Sequence, residues 1–314
     1  MKTLFLYSAA VLIWGSTWFA IKLQLTGVPP QVSLVYRFGL AAILLFLWSW
    51  FRGLQIRFTF REHLLLVLAG LTVFSTNYVL FYEAERHLVS GSVAIIFSLL
   101  VVFNIFNTWF FFGQKPTYQV IAAAALGLLG ITLTFWRELA SLGSDPGNIL
   151  GIALSVVATL CASFGNMVFA RMQKQGIPVV SGNAFGMLYG TVLLFIYASI
   201  TGGRFGFDFS VSYVLSLFYL SLFGSVIAFG CYLALVGRIG ADRAAYASVM
   251  FPIVALLIST AFEGYHPNLL SGAGIITVLA GNALVLLQKQ RAKGAAVAKS
   301  NADSPELGAK GEAA

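Results

Sequence analysis

"GQKPTYQVIAAAALGLLGITL" (Gly113–Leu133) and "GYHPNLLSGAGIITVLAGNAL" (Gly264–Leu284) lie over one another at a constant offset of 151 residues. Pro116 meets Pro267, Gly130 meets Gly281 and Leu133 meets Leu284. A second pair, "WGSTWFA" (Trp14–Ala20) and "FGNMVFA" (Phe164–Ala170), aligns at an offset of 150. Gly15 meets Gly165, and Phe19-Ala20 meets Phe169-Ala170. Two matches at nearly one offset in a chain of 314 residues read as an internal duplication.

The duplicated unit is apolar. Hydrophobic residues make up 59% of the chain and charged residues 10%, against the quarter or so usual in soluble domains. A helix needs about 20 mostly apolar residues to cross a bilayer. Ten windows meet that need: Leu4–Gln24, Val32–Phe51, Leu64–Tyr82, Ser90–Phe112, Thr117–Trp136, Ile149–Ala170, Ser181–Thr201, Tyr213–Val236, Asp242–Phe262 and Asn268–Gln288. They are too long and continuous for barrel strands, which are shorter and alternate. The first window runs to about Leu25 with no small-x-small cleavage site, so it reads as a spanning helix rather than a signal peptide. Five crossings per copy is an odd number, so the second copy traverses the membrane in the opposite sense. The expected fold is therefore all-α, an integral membrane protein of ten transmembrane helices in two inverted five-helix repeats. The first repeat is expected over residues 1–137 and an extracytoplasmic linker over 138–148. The second repeat follows over 149–288, then a disordered cytoplasmic tail over 289–314, whose Ala, Gly, Lys, Ser and acidic residues cannot bury a core.

With the amino terminus in the cytoplasm, the inner side holds 14 Lys and Arg residues and the outer side 4. The positive-inside rule therefore places both termini inside. This also accounts for the net charge of +8, since no basic face or soluble module points to nucleic acid. Cys161 and Cys231 fall in apolar segments and give neither a disulfide framework nor metal spacing. No "GxxxxGK[ST]" or "HExxH" signature is present, and no cofactor is expected. The expected partners are the lipid bilayer and a small-molecule substrate.

Beyond these patterns, "LIWGSTWFAIK", "YRFGLAAILLF", "NYVLFYEAERHLVSGSVAIIFSLLVVFN" and "LSGAGIITVLAGNALVLL" resemble the drug/metabolite transporter superfamily, specifically its EamA group, over about Leu4 to Leu287. The resemblance implies an inner-membrane carrier with a central cavity, commonly an exporter of amino acids, other metabolites or drugs. Members often carry an acid just before the last helix of each half. Glu263 fills that place in the second half, but the first half reads Gly113-Gln114-Lys115.

Arg37 is the sole charge in "LVYRFGLAAILLFLW" (Leu34–Trp48). It either contacts an anionic substrate group, pairs with Glu83 or Glu85 at the end of helix three, or snorkels to the interface. Trp14 and Trp18 share a helix face, and an indole at depth suits apolar, aromatic or cationic substrates. Ser16, Asn77, Tyr78, Asn104, Asn107, Asn166 and Tyr246 complete the candidate substrate set, with interhelical hydrogen bonding as the structural alternative. Lys22, Glu83, Glu85 and Glu263 are candidates for gating or ion pairing. Pro252 is expected to kink helix nine. Small residues in Ala122–Gly130 and Ser271–Asn282 permit close helix packing, within the chain or across a homodimer. The functional expectation is a secondary transporter of the inner membrane that exports small metabolites, such as amino acids or amphipathic drug-like compounds, by alternating access. The alternatives are a non-transporting sensor or assembly subunit, and an intramembrane enzyme, for which no acidic pair or histidine lies at mid-helix depth.

Overall fold

A computed structural model describes residues 2–25, 27–113, 115–136, 146–239 and 247–302. The rods are α1 (Lys2–Lys22), α2 (Pro30–Phe51), α3 (Phe60–Ala84), α4 (Ser90–Phe112), α5 (Tyr118–Thr134), α6 (Pro146–Lys174) and α7 (Val179–Ile200). They continue as α8 (Val211–Phe218, Tyr219–Ile227 and Ala228–Ile239 end to end), α9 (Ala247–Phe262) and α10 (Leu269–Ala302). No strand occurs among the described residues. Among the described residues, seven helices are long and apolar enough to cross a membrane, and three shorter apolar ones (Tyr118–Thr134, Met250–Phe262, Leu269–Leu284) accompany them. The chain is an all-helical, multi-span membrane protein. Helices are the form that satisfies every backbone group where lipid offers no partner.

Local signals set the ends. Pro30 opens α2, where a missing N–H costs nothing. Thr59 and Glu62 form a capping box at the start of α3. Gly113, at φ +70°, closes α4 in the left-handed conformation that a side chain resists.

The helices are not uniform. Thr72–Thr76 in α3 and Tyr219–Ile227 in α8 are π-helical, at matching places in the two copies. α4 breaks at Ser98-Leu99, between Ser90–Phe97 and Leu100–Phe112. The Ser98 carbonyl accepts from Val101 N–H at 3.4 Å and also from the side-chain amide of Asn282 on α10, at 3.2 Å. Pro252 lies inside α9.

α5 and α10 pack on each other through the two stripes of small residues. A Cβ on Gly130 would stand 2.7 Å from the Gly274 carbonyl, and one on Gly281 2.8 Å from that of Ala123. The stripes thus meet within one chain. Leu128, Leu129, Ile276 and Leu269 point outward, as lipid-facing side chains do.

Two regions differ from expectation. α10 continues to Ala302, so residues 289–302 extend the last helix instead of forming an unstructured tail. Alanine and lysine propagate a helix once a spanning segment has nucleated it, even where no core can be buried. The expected linker largely falls at 137–145, outside the described residues, and α6 begins before it was expected, at Pro146.

Candidate functional site

One end of the bundle gathers the end of α1, the start of α2, the end of α3, the start of α4 and the end of α9. Its polar groups form a junction, hereafter the latch. Lys22 Nζ donates to the carbonyls of Glu85 at 2.5 Å and Leu88 at 3.2 Å. A cation there meets carbonyls that the end of α3 leaves unpaired. Arg37 is 2% exposed, although one aqueous end lies only two turns away. Its Nη1 donates to the Tyr82 hydroxyl at 3.2 Å, and Tyr82 donates to Gln24 Oε1 at 2.6 Å. The guanidinium lies 4.7 Å from the centre of the Tyr78 ring, a cation–π arrangement. Ser221 of α8 donates to the Arg37 carbonyl at 3.1 Å.

Glu263 completes the latch from the second half. Val89, at the cap position of α4, offers no side-chain bond. The N–H groups of Ser90 and Gly91, buried in the first turn where the helix offers no acceptor, are met from α9 instead. Ser90 N–H donates to the Glu263 carboxylate at 3.2 Å, and its hydroxyl donates to the same group at 2.5 Å. Gly91 N–H donates to the Ser259 hydroxyl at 2.8 Å, and Ser259 donates to Glu263. An anion at a helix start is favoured by the helix dipole.

Glu85, which follows the last residue of α3, is fully buried. Burial pushes its carboxyl well above the usual carboxylate range, and Glu263 adds to the rise, while Lys22 and Arg37 pull downward. Glu83 faces outward and pairs with Arg86 at 3.2 Å. Arg37 therefore has no ion pair with Glu83 or Glu85 among the described residues; its bond goes to Tyr82. Tyrosine serves because its hydroxyl both accepts from arginine and passes a proton bond on to Gln24.

Further in, residues from both halves meet around Trp14. Its indole N–H donates to the Gly224 carbonyl at 3.1 Å, within the π-helical stretch of α8. The rings of Phe229, Tyr232 and Phe251 lie 5.0, 5.3 and 5.2 Å from its own. Ser16 and the Tyr219 hydroxyl are 2.7 Å apart. A π-helical turn inserts a residue and redirects the chain, which turns Tyr219 and Gly224 toward α1. Trp18, on the same face of α1, is 8% exposed and packs on Phe81 and Phe97 in the core.

The asparagines lie apart from this group. Ser163 donates to Asn104 Oδ1 at 2.9 Å, Asn166 donates to the same oxygen at 3.2 Å, and Asn107 donates to Ser163 at 2.8 Å. This network joins α4 to α6. Asn77 is buried, with Oδ1 lacking a protein partner. Tyr246 lies outside the described residues. The structure thus brings Trp14 and Ser16 together with α8 and α9, and Lys22, Arg37, Tyr78, Glu85 and Glu263 together at the latch. Reading the sequence missed Gln24, Tyr82, Ser90, Ser259, Tyr219 and Phe229. Only Tyr82 had a visible signal, lying one turn beyond Tyr78.

Comparison with known proteins bears on these features. The model of the EamA-like transporter family matches twice, over residues 1–136 and 149–287. The uncharacterized inner membrane transporter YedA of Escherichia coli (strain K12) is 30% identical over 258 residues, spanning 82% of this chain and 81% of YedA. The protein PagO of Salmonella typhimurium is 26% identical over 290 residues, 90% of this chain and 92% of PagO. A probable amino-acid metabolite efflux pump of the same organism is 25% identical, over 88% of this chain and 92% of its own length. A solved crystal structure superposes with a TM-score of 0.65 over 92% of this chain and 98% of its own, at 17% identity, and so shares the fold.

Proposed function

The chain belongs to the EamA-like family of membrane transporters, and we propose that it is a secondary carrier that exports small metabolites, such as amino acids or amphipathic compounds, by alternating access. Ten crossings form two inverted repeats, with both termini in the cytoplasm. The latch then faces the extracytoplasmic side. The observation that carries this reading is the cap on α4, where Glu263 and Ser259 of one half close on Ser90 and Gly91 of the other. A few charge-assisted hydrogen bonds between two rigid halves form a closure that water can replace, as rocking of the halves requires.

Trp14, with Phe229, Tyr232 and Phe251, supplies the surface for the solute, and its flat aromatic faces favour apolar, aromatic or cationic groups. Arg37 acts from the latch, on a carboxylate-bearing solute that reaches it when the latch opens. The name of the Salmonella relative, an amino-acid metabolite efflux pump, agrees with such a substrate. Counterflow in proteoliposomes tests the reading, with amino acids, nucleosides, polyamines and amphipathic cations as solutes. Exchange of at least one class is expected. Binding without exchange for every class would favour a sensor.

A further inference from the structure

Glu85 is fully buried, and neither carboxylate oxygen has a hydrogen-bond partner. Buried carboxylates ordinarily collect donors. None of the donors nearby reaches it. On α1, Lys22 donates to the carbonyls of Glu85 and Leu88, not to the carboxylate. On α2, Arg37 donates to Tyr82 of α3, and its Nε has no partner. On α9, Glu263 takes the donors of Ser90 and Ser259 for itself. His87, two residues on, lies 3.7 Å from Glu83. An ionised Glu85 would thus be a buried anion with no donor in contact; burial is the largest effect against it, Glu263 adds to that, and Lys22 and Arg37 oppose it. A neutral carboxylic acid avoids most of that cost.

We propose that Glu85 is a proton-binding site formed by the closed latch. As the latch closes, one carboxylate oxygen takes a proton from the adjoining water. As it opens, the acid meets water and returns that proton. No other bond forms or breaks. The inference rests on the carrier reading only in assuming that the latch opens. Its sign follows from linkage: the closed state binds one proton more, so acid favours closure. That preference is complete below the ordinary carboxylate range and is lost as pH rises through the raised closed-state value, the direction given by burial.

The test is infrared difference spectroscopy of the purified full chain near about pH 7, where exposed carboxyls are ionised, with counterflow measured across pH in parallel. A carboxylic-acid carbonyl band is expected in the wild type and is lost in Glu85→Gln, together with the pH dependence of exchange. Absence of the band in the wild type overturns the proposal whatever the transport data, and so does a band that survives Glu85→Gln. A band lost in the variant, with no exchange of any solute, keeps the proton site and sinks the carrier reading instead. If Glu85→Gln does not fold, Glu85→Asp must shift the band; an unmoved band is equally fatal.

Discussion

Where α1, α2, α3 and α9 meet, the buried side chains include Gln24, Arg37, Tyr82 and Glu85; where α3 meets α6 and α7, toward the opposite end, they are Leu66, Ala69, Met172 and Ile177. The contrast extends to the repeated helices. α2 carries Arg37, while its counterpart α7 carries no charge and approaches α3 through glycine. A Cβ on Gly190 would stand 2.8 Å from that of Phe74, and one on Gly186 equally close to the Phe74 ring. Polar side chains at the second junction, such as His63 bonded to Tyr189 at 2.8 Å, are only part-buried. Copies of one unit have therefore become one junction filled by buried polar side chains and one filled by apolar side chains and glycine. Parting the first returns polar groups to water. Parting the second exposes apolar surface, at about 25 cal/mol per Å².

Substitutions that swap the two chemistries test this difference. The largest effect is expected from a charge in the dry junction. Leu66→Glu leaves an anion among Ala69, Met172 and Ile177 and should cost about 3–5 kcal/mol, the range for an uncompensated buried charge, read as loss of folded protein on thermal or denaturant unfolding. The reverse swap at the latch, Arg37→Met, removes the bond to Tyr82 and the stacking on Tyr78. It should cost about 2 kcal/mol, typical of a hydrogen bond to a charged group, and should selectively impair exchange of carboxylate-bearing solutes. Equal costs for the two swaps would abolish the distinction.

Glu263→Ala takes the carboxylate from the start of α4 and should cost about 1 kcal/mol, as loss of a helix cap does, with melting temperature as the readout. The smallest effect is expected at the asparagine network. Asn166→Ala removes one interhelical bond, its donation to Asn104 Oδ1, at the membrane average of about 0.6 kcal/mol, and should leave the pH dependence of exchange untouched. A pH effect there would mean that the two polar regions are coupled.

Much of the fold was legible because long apolar windows admit few alternatives. Ser90–Phe112 was predicted to the residue, and the other windows differ mostly by a few residues at their ends. What escaped were departures from regular helix. The π-helical stretches at Thr72 and Tyr219 and the break at Ser98 have no proline or glycine to announce them all, since tertiary contacts such as Asn282 with Ser98 help sustain them. One local signal was overlooked: Thr59-x-x-Glu62 spells the cap that starts α3 at Phe60 rather than Leu64. Among site residues, intramembrane charge singled out Arg37, but not its neighbour. Choosing between Glu83, Glu85 and Tyr82 requires knowing how the end of α3 turns, and Lys22 on another helix fixes that turn.

Val89 gives α4 no cap of its own, and the missing acceptors arrive from Ser259 and Glu263. Severed from its sister, the leading five-helix module would begin its fourth span with bare amides. Expressed alone it should fray at that point, and supplying the trailing module as a separate polypeptide should repair it.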